Sequence, residues 1–492
     1  MDSRIFTGTA VQAIDRHLIN DLGMDSAGLM RSAGESAFVA LRERFADSAQ
    51  SVLVLCGPGN NGGDGYVVAL AALQADWPVQ CVATNAPKSE AAKLACKRYC
   101  DAGGQLRAVD QIIGGETRYD VIVDALLGLG QTGAPRGVIG ELVQWSNEQS
   151  ACRLALDMPT GVDADTGEVR EPAFLADFTV TFLAQKIGLL TGAGVNYAGE
   201  VLLESLGITP AQQGSIVPVA GLLEPPTLKP RRPDSHKGTY GHVMVVGGDN
   251  GMLGATLLAG GAALRSGAGK VTLASTEAHL DKAVYWMPEL MSAVVEAGQY
   301  PAISSCEILA VGPGLGTDAW GRDAFDWSWQ QGNALVVDAD ALTLLAEHDK
   351  PFAANRSVVL TPHPGEAARL LHSTIADVQK DRVNAAREIA RKYRAVCVLK
   401  GAGTLIADPN GRVALCKLGN PGMASAGMGD VLTGIIAALL AQGYNPFDAA
   451  SSGVWLHAKS ADLQCQTIGE AGLIASDVIQ GLPLAWASCL KG

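Results

Sequence analysis

The positions of apolar residues divide the chain into helices and short buried strands that alternate. Between residues 9 and 45, apolar residues recur every three or four positions after Ser or Thr residues that can cap a helix, which predicts helical structure. Four short apolar runs separated by helical patterns then predict strands at Val52–Leu55, Val79–Thr84, Val121–Ala125 and Leu154–Asp157. This alternation is typical of a parallel sheet with helical crossovers, which binds ligands at the carboxyl ends of its strands.

The periodic pattern stops in one proline-containing segment and then begins again. The segment "SIVPVAGLLEPPTLKPRRPDSHKG" contains prolines and a small basic patch that interrupt any helix or strand. After it, strand patterns that end near glycine, Asp, His or Lys appear in "GHVMVVGG", "ILAVGPGLG", "ALVVDADAL", "SVVLTPHPG" and "AVCVLKGAG". We therefore expect two α/β domains, at residues 1–219 and 220–492.

Composition and charge narrow the class of protein. The chain has 492 residues, of which 48% are hydrophobic and 58 are glycine, as in a large globular α/β enzyme. A net charge of −13 argues against a nucleic-acid surface, which needs basic stripes. No apolar run approaches the roughly 18 residues of a membrane span, "MDSRIFTGTA" lacks the apolar segment of a signal peptide, and the ten cysteines lack a metal-binding spacing. We expect a cytoplasmic protein with no membrane or nucleic-acid partner.

The loop "GPGNNGGDG" follows the first predicted strand and resembles half of a dinucleotide-binding fingerprint. Gly57, Gly59 and Gly62 satisfy G-x-G-x-x-G, but the next strand ends at Thr84 with no acid to hold a ribose. Glycines at the start of a helix expose backbone amides to an anion, which predicts a phosphate-bearing ligand. The alternative is a tight turn in which Asp64 only caps the helix. The loop also carries the polar residues Asn60, Asn61 and Asp64.

The next two strands bring further polar side chains to the same edge. Asp124 ends the third strand, and Asp157 and Thr160 follow the fourth. The oxygen atoms of Asn61, Asp124 and Thr160 can converge on a hard monovalent cation, although Asp124 can also simply cap a turn. Asp157 is a candidate for proton transfer beside a buried anionic ligand, and the alternative is an Asp that only forms the turn before Met-Pro.

The second half contains a run typical of an anion hole. In "SAGMGDVLTGIIAALL", small residues place the amides of Ala426–Gly429 at the start of an apolar helix, and Asp430 follows as a candidate base. The segment "VLKGAGT" suits a nucleotide phosphate but is also compatible with a purely structural loop. His363 lies between prolines at a strand end and can be structural. Glu366 can cap the following helix or hold a metal ion.

These motifs together resemble the bifunctional NAD(P)H-hydrate repair enzymes over nearly the whole chain. The resemblance rests on "GPGNNGGDG", "VDALLGLGQTG" and "LDMPTGVDADTG" in the first half, and on "HKGTYGHVMVVGG", "TPHPGEAARL", "VLKGAGT" and "GNPGMASAGMGDVLTGIIAALLAQG" in the second. It implies an N-terminal epimerase domain of Rossmann-like α/β/α fold and a C-terminal ribokinase-like dehydratase domain. Their substrates would be NADH or NADPH hydrated at C6 of the nicotinamide ring. Met428 departs from the family, which more often has Thr there; because the run acts mainly through backbone amides, we expect a small effect.

The resemblance also implies roles for individual residues. Asp157 and Asp430 would be catalytic and contact the reacting end of the hydrate, and K⁺ would bind to Asn61, Asp124 and Thr160. Mg²⁺ would accompany the nucleotide in the dehydratase domain. Further hydrate contacts in the epimerase domain would be Asn60, Asn61, Gly62, Gly63, Asp64, Gly128, Leu129, Gly130, Gln131, Thr132, Gly133 and Ala134. Those in the dehydratase domain would be Ala255, Gly316 and His363, and the nucleotide contacts would be Lys400, Gly401, Ala402, Gly403, Thr404 and Gly429.

The implied chemistry leaves two other functions open. The anion hole would serve a kinase of a small alcohol equally well. A kinase would release a phosphorylated alcohol, whereas the dehydratase would release orthophosphate and NADH. The first half can alternatively be a nucleotide-sensing module without activity, although the presence of Asn61, Asp124 and Asp157 argues against this. The nucleotide is ADP or ATP, and the fused arrangement, which looks bacterial, implies ADP. We also expect a homo-oligomer.

Overall fold

A computed structural model describes residues 3–46, 48–228, 230–296, 299–303, 307–348 and 350–490. The chain forms two compact units, Met1–Gly221 and Leu222–Gly492. Each unit contains a largely parallel sheet that is covered by helices, so the structure has the two-unit α/β architecture expected from the alternating pattern.

The first unit is built on a seven-stranded parallel sheet in the order β4-β3-β2-β5-β6-β7-β9. The strands of this unit are β1 (Arg4–Phe6), β2 (Val52–Cys56), β3 (Val79–Ala83), β4 (Leu106–Arg107), β5 (Val121–Ala125), β6 (Cys152–Leu156), β7 (Phe178–Phe182), β8 (Gln185–Lys186), β9 (Glu200–Glu204) and β10 (Ala220–Leu222). Its helices are α1 (Gly8–Asn20), α2 (Ser26–Arg44), α3 (Asn60–Gln74), α4 (Glu90–Asp101), α5 (Val109–Ile113), α6 (Val138–Asn147) and α7 (Gly194–Ala198), with 3₁₀ turns at Ile187–Leu189 and Pro210–Gln213.

This strand order is that of a Rossmann-like sheet with one added strand, and it fixes where a ligand can bind. The chain passes from β2 outward to β4 and then returns to place β5 on the other side of β2. The loops that follow β2 and β5 therefore leave the sheet in opposite directions and open a crevice at its carboxyl edge. Both strands are buried along their whole length, which explains their apolar sequences, interrupted only by Asp124 near the end of β5.

The second unit contains a nine-strand arrangement in the order β13-β12-β11-β14-β15-β16-β17-β18-β19, parallel from β13 to β17 and antiparallel beyond. These strands are β11 (His242–Val246), β12 (Lys270–Ser275), β13 (Met291–Val294), β14 (Glu307–Val311), β15 (Leu335–Val337), β16 (Val358–Leu360), β17 (Val396–Leu399), β18 (Thr404–Ala407) and β19 (Val413–Cys416). The order reverses between β11 and β14, which creates a second crevice at the carboxyl edge of that sheet.

The helices of the second unit cover both faces of its sheet. They are α8 (Leu253–Arg265), α9 (Leu280–Trp286), α10 (Ala319–Gln330), α11 (Ala339–His348), α12 (Pro364–Leu370), α13 (Ile375–Lys380), α14 (Arg382–Tyr393), α15 (Met428–Ala441), α16 (Pro446–Ile468) and α17 (Ala475–Cys489), with 3₁₀ turns at Lys237–Tyr240, Glu277–His279 and Pro421–Met423. In the described part of the chain, none of the helices has both the length and the apolar character that a membrane crossing requires.

Most of the elements predicted from periodicity are present. The helical stretch at residues 9–45 forms α1 and α2, which Thr7 and Asp25 cap through their side chains. The four predicted strands of the first half are β2, β3, β5 and β6, with ends shifted by at most two residues. The pattern did not reveal β7 and β9, nor the antiparallel strands β18 and β19, although the turn sequence Asp408–Gly411 joins that pair.

Helices α8 and α15 pack closely because one of them presents a glycine at the contact. A Cβ atom added to Gly434 would lie 2.1 Å from the carbonyl oxygen of Ala259, so either helix would have to move. Gly254, near the start of α8, has nothing within 4 Å of such a Cβ atom.

We expect Gly434→Ala to lower the free energy of unfolding of the second unit by about 1–3 kcal/mol, the usual cost of overpacking a core. Gly254→Ala is the matched control, and because alanine is the better helix former it should cause no loss. Urea denaturation of both variants measures the difference. Equal stabilities would show that the close approach of α8 and α15 does not constrain the fold.

Candidate functional sites

A cavity of about 490 Å³ lies in the first unit, at the crevice between the loops that follow β2 and β5. Helices α1 and α2 supply an apolar wall through Val11, Leu29 and Met30. The opposite wall is polar and carries Asn60, Asn61, Asp64, Gly128, Gln131 and Asp157. The structure therefore brings residues from all three predicted sheet-edge loops into one cavity. The predicted residues that do not line it are Gly62, Gly63, Asp124, Thr132, Gly133, Ala134 and Thr160.

The asparagine loop of this cavity is the first turn of α3. The helix is capped by Gly59 without a side-chain hydrogen bond, and Asp64 is its fifth residue. The alternative in which Asp64 caps the helix is therefore wrong. Burial raises the pKa of Asp64 well above its ordinary value, and the nearby Asp157 and Asp15 carboxylates raise it further. Asn60 accepts a hydrogen bond of 2.7 Å from the Ser89 hydroxyl.

Asn61, Asp124 and Thr160 converge beside the backbone of Leu127. The Thr160 hydroxyl and backbone amide donate to Asp124 at 2.8 and 2.7 Å, and the Asn61 amide nitrogen donates to the Leu127 carbonyl at 3.0 Å. Asp124 also accepts from the Leu126 amide at 3.0 Å, so it does form the local turn considered as the alternative. Asp124 therefore forms the local turn and also lies beside Thr160 and Asn61.

This polar group has an unbalanced charge and an unused oxygen atom. Asp124 is fully buried, and burial raises its pKa to about 6 although the Thr160 and Leu126 hydrogen bonds oppose the shift. The Oδ1 atom of Asn61 is buried, and no described residue donates a hydrogen bond to it. A buried carboxylate and a vacant amide oxygen are the donor set that suits a monovalent cation.

Asp157 follows β6 and forms an ion pair with Lys186, a residue that the sequence reasoning missed. The Lys186 ammonium is fully buried and lies 2.5 Å from Asp157 Oδ1. It also donates to the Thr181 hydroxyl at 2.9 Å and the Phe182 carbonyl at 2.6 Å. Burial lowers the pKa of Lys186, an effect that the Asp157, Asp64 and Asp15 carboxylates oppose.

The backbone directs Asp157 into the cavity. Its φ angle is +64°, in the left-handed region that Asp adopts more readily than most residues. Strand β8 holds its partner, because Lys186 pairs in parallel register with Phe6 of β1. A lysine inside an apolar run such as "TFLAQKIG" is the signal that could have revealed the pair, since a lone buried ammonium requires an acid.

The glycine-rich segment Gly128–Ala134 forms another side of the cavity. A Cβ atom on Gly128 would lie 3.2 Å from Asn61 Cβ, so a glycine lets this loop approach α3. Gln131 anchors the loop: its Oε1 atom accepts from the Gly161 amide at 2.9 Å, and its Nε2 atom donates to the Val162 carbonyl. Leu129 and Gly130 line the cavity, whereas Thr132 and Gly133 are exposed on the loop.

The residues predicted to form an anion hole lie at the start of α15. Gly427 precedes this helix with φ +86°, a conformation that suits glycine, and the first turn leaves backbone amides without acceptors in the helix. Asp430 lies in this turn. Burial raises its pKa to about 7, assisted by the Asp338, Asp340 and Glu366 carboxylates and opposed by Lys400. Met428, the departure from the family pattern, buries its side chain in the core.

Lys400 lies among the carboxylates of this second site. Its ammonium is 2.8 Å from Asp338 Oδ1 and 3.8 Å from Glu366 Oε2, and the neighbouring acids raise its pKa despite burial. Asp338 follows β15 and accepts from the Thr433 hydroxyl of α15 at 2.8 Å. The sequence analysis placed Asp338 at the end of a predicted strand but gave it no role in a site. A Cβ atom on Gly429 would lie 3.2 Å from the Lys400 ammonium, so this cluster adjoins the anion hole.

The Lys400–Thr404 loop rests on a buried arginine that the sequence reasoning also missed. Arg382 donates to the carbonyls of Leu399 and Lys400 at 3.3 and 3.1 Å. Gly401 and Gly403 have φ angles of +135° and +63°, and Thr404 closes the turn by donating to the Gly401 carbonyl at 2.9 Å. The loop conformation is thereby determined from inside the unit.

His363 and Glu366 together cap α12. His363 Nδ1 accepts from the Gly365 and Glu366 amides at 2.9 and 3.2 Å, and Glu366 Oε2 accepts from the His363 amide at 2.7 Å. The side chain of His363 is 51% exposed and that of Glu366 is 7% exposed. Glu366 therefore caps the helix, which is the first of its two predicted roles. Among the described residues, no group of three or more His, Cys, Asp or Glu side chains is arranged to hold a metal ion.

The remaining predicted contacts lie at the switch between β11 and β14. Gly316 has φ +72°, and its amide donates to Asp340 at 2.9 Å. Ala255 lies in the first turn of α8, where its Cβ atom would be 3.3 Å from a Cβ atom on Gly314. Both residues therefore occupy the carboxyl edge of the second sheet.

Comparisons with known proteins identify both halves of the chain. A family model described as NAD(P)H-hydrate dehydratase matches residues 243–483, and one described as YjeF-related protein N-terminus matches residues 26–188. The chain is 40% identical to the bifunctional NAD(P)H-hydrate repair enzyme of Escherichia coli, over 95% of this chain and 91% of that protein. It is 38% identical to the enzyme of the same description from Coxiella burnetii, over 97% and 98%.

Two further matches extend this comparison. A bifunctional NAD(P)H-hydrate repair enzyme of Leishmania braziliensis is 36% identical over 94% of this chain and 89% of that protein, so the fused arrangement also occurs outside bacteria. The crystal structure of the ADP/ATP-dependent NAD(P)H-hydrate dehydratase of Bacillus subtilis, co-crystallized with ATP and Mg²⁺, is 34% identical and covers 54% of this chain and 95% of that one, with a TM-score of 0.49. By its full-length identity to curated members, the chain belongs to the family of bifunctional NAD(P)H-hydrate repair enzymes.

Proposed function

We propose that this protein repairs hydrated NADH and NADPH with two activities. The first unit interconverts the R and S hydrates at C6, and the second uses an adenine nucleotide to dehydrate the S hydrate. The observation that carries the proposal is that each unit holds a partly buried carboxylate, Asp157 or Asp430, beside a glycine loop at the carboxyl edge of its sheet. The chain belongs to a family whose members are named for this repair.

In the first unit, Asp157 exchanges a proton with the C6 hydroxyl group. The ring nitrogen N1 supplies the electron pair that expels this group as water, and water then returns to either face of the ring. The contacts of Asp157 with Lys186, Phe182 and Thr181 are all made by Oδ1, which leaves Oδ2 for the substrate. Lys186, whose pKa burial lowers, is a suitable proton reservoir behind Asp157.

Asn61, Asp124 and Thr160 would hold K⁺ beside the substrate loops. The vacant Oδ1 atom of Asn61 and the uncompensated charge of buried Asp124 support this assignment. When bound, K⁺ would supply the positive charge that Asp124 lacks and tie the β2 loop to the β5 loop. The loop amides and Gln131 would then hold the hydrate in the orientation that Asp157 requires.

In the second unit, Asp430 accepts the proton of the C6 hydroxyl group as that oxygen attacks the terminal phosphoryl group of the nucleotide. The amides of Ala426–Gly429 carry the charge that develops on the phosphoryl oxygens. Lys400 and the loop that it begins bind the nucleotide. Phosphorylation converts a poor leaving group into a good one, so N1 can expel phosphate and the dihydronicotinamide ring is restored.

We infer ADP as the nucleotide, bound as its Mg²⁺ complex. Mg²⁺ usually keeps several waters and binds substrate phosphates with one or two carboxylates, so it does not need a dedicated protein cage. This agrees with the lack of a three-residue metal cluster in the described part of the chain. We therefore treat Mg²⁺ as part of the nucleotide substrate.

One assay tests this function against a kinase of a small alcohol. Purified protein is incubated with mixed hydrate epimers and either ADP or ATP, while NADH absorbance and orthophosphate are followed. Repair requires both NADH and orthophosphate to appear, in equal amounts. Release of a stable phosphorylated product without NADH would instead identify a kinase.

We expect Asp157→Asn and Asp430→Asn to remove different activities of the same chain. Loss of a general acid or base typically costs about 10²- to 10⁴-fold in rate. Asp157→Asn should recover NADH from the S hydrate only, and Asp430→Asn should interconvert the epimers but recover no NADH. Each variant controls for the other, measured by chromatography of the epimers and by NADH absorbance. Loss of both activities in either variant would contradict separate sites.

Asp124→Ala should weaken hydrate binding to the first unit and abolish any dependence of epimerisation on K⁺. The reason is that the substitution removes the only acidic member of the proposed cation site. Epimerisation rates are measured with K⁺ replaced stepwise by a larger organic cation, and dehydration of the S hydrate serves as the internal control. An unchanged K⁺ response would show that Asp124 only forms its turn.

Asp430→Asn should also stabilise the second unit in a pH-dependent way. The folded pKa of about 7 lies above the ordinary value of 3.8, so wild-type stability falls as pH rises through this interval. The variant should therefore unfold at a higher temperature than wild type at about pH 8, with a smaller difference at about pH 5.

Asp377→Asn provides a control of opposite sign for this measurement. Hydrogen bonds from Thr374 lower the pKa of the exposed Asp377, so its contribution to stability is present above its ordinary value and is lost as pH falls. This variant should unfold at a lower temperature than wild type at about pH 8. A loss of stability in Asp430→Asn at that pH would mean that its carboxylate is held favourably.

A further inference from the structure

Dehydration of the hydrate requires a second base in addition to Asp430, because a proton must also leave C5 of the ring. Addition of water across the C5–C6 double bond places hydrogen on C5 as well as hydroxyl on C6. When N1 expels phosphate from C6, the product is a ring with a C6=N1 double bond and a positive charge. The C5 proton must then leave so that its electron pair forms C5=C6 and the C6=N1 pair returns to N1.

Asp430 is poorly suited to take this second proton. It has accepted the hydroxyl proton in the phosphoryl-transfer step and would first have to release it. His363 is also unsuited, because its Nδ1 atom accepts from the Gly365 and Glu366 amides. The neutral ring therefore carries its proton on Nε2, and in this orientation it is a donor.

From this arrangement we infer that Glu366 is the base that removes the C5 proton, an inference that rests on the proposed function. Glu366 Oε1 lies 3.3 Å from His363 Nε2. The family resemblance implies that His363 contacts the substrate. The Oε2 atom of Glu366 lies 3.8 Å from the Lys400 ammonium, which also interacts with Asp430. Glu366 thus lies beside both the substrate contact and the phosphoryl-transfer site.

The environment of Glu366 suits this task. Burial raises its pKa to about 7, so near neutral pH the carboxylate is present and is more basic than an exposed one. The His363 backbone amide donates to the ionised form at 2.7 Å, and the Lys400 ammonium, 3.8 Å away, partly opposes the rise in pKa. After the step, the proton passes from Glu366 to solvent, and the carboxylate is restored for the next turnover.

Glu366→Gln tests the inference with little risk to the fold. Glutamine at this position can still accept a hydrogen bond from the His363 amide, because Glu and Gln both complete a capping box. The full chain is given S hydrate and ADP, and AMP and NADH are quantified together. The ratio of AMP to NADH does not depend on how much of the sample is folded.

The wild type should form AMP and NADH in equal amounts. In Glu366→Gln, AMP should still form, but the charged ring should be recaptured by water, so ADP is consumed without repair and the ratio of AMP to NADH rises by the factor by which NADH recovery falls. NADH recovery should fall by about 10²- to 10⁴-fold. Asp377→Asn, which removes the acid of the capping box in the next helix, should leave the ratio at one.

Three results would overturn the assignment. Equal loss of AMP and NADH in Glu366→Gln would place the residue before proton removal, and normal yields of both would mean that another base, such as the departing phosphate, takes the proton. A wild type that forms AMP and a phosphorylated product but no NADH would refute the proposed function, and this inference with it.

Discussion

In each unit one lysine, fully buried in the first and partly buried in the second, faces several carboxylates, and this compensation of charge is the interaction on which each site depends. Lys186 is fully buried against Asp157, with Asp64 and Asp15 near enough to affect its pKa. Lys400 holds Asp338 and approaches Glu366. Unpaired charges of this kind are costly to bury, so each lysine makes a sheet edge rich in acids compatible with folding.

The compensation is incomplete, and the remaining imbalance is what makes the sites reactive. In the second unit burial would raise the pKa of Asp338, but the ion pair with Lys400 outweighs this effect and lowers it. Asp430 and Glu366 are left with pKa values of about 7, where a carboxylate can both accept and release a proton. In the first unit Asp157 holds the lysine, whereas burial raises the pKa values of Asp64 and Asp15. The arrangement therefore sacrifices stability to keep acids poised.

The sequence predicted the local features of the sites well and their long-range partners poorly. Asp124 and Asp430 could be assigned to strand and helix ends because turns and helix starts have their own residue preferences. Lys186 was missed, since it belongs to an apolar run and lies beside Asp157 because β7, whose end it contacts, pairs with β6. Asp64 was open to interpretation as a cap because the start of α3 at Asn60 has no side-chain signal. Contacts between distant elements carry no such local signature.

The glycine fingerprint after β2 illustrates the same limit. A Cβ atom on Gly57 would lie 1.8 Å from the Leu126 carbonyl oxygen, and one on Gly62 would lie 1.9 Å from the Gly57 carbonyl oxygen. Gly57 is thus required by the close approach of the β2 and β5 loops, and Gly62 by the tight turn from β2 into α3, whatever ligand is bound. Gly59 has nothing within 4 Å and leaves the amides beside it accessible from the cavity. The motif therefore reports the geometry of a switch point, and the chemistry is specified by the carboxylates around it.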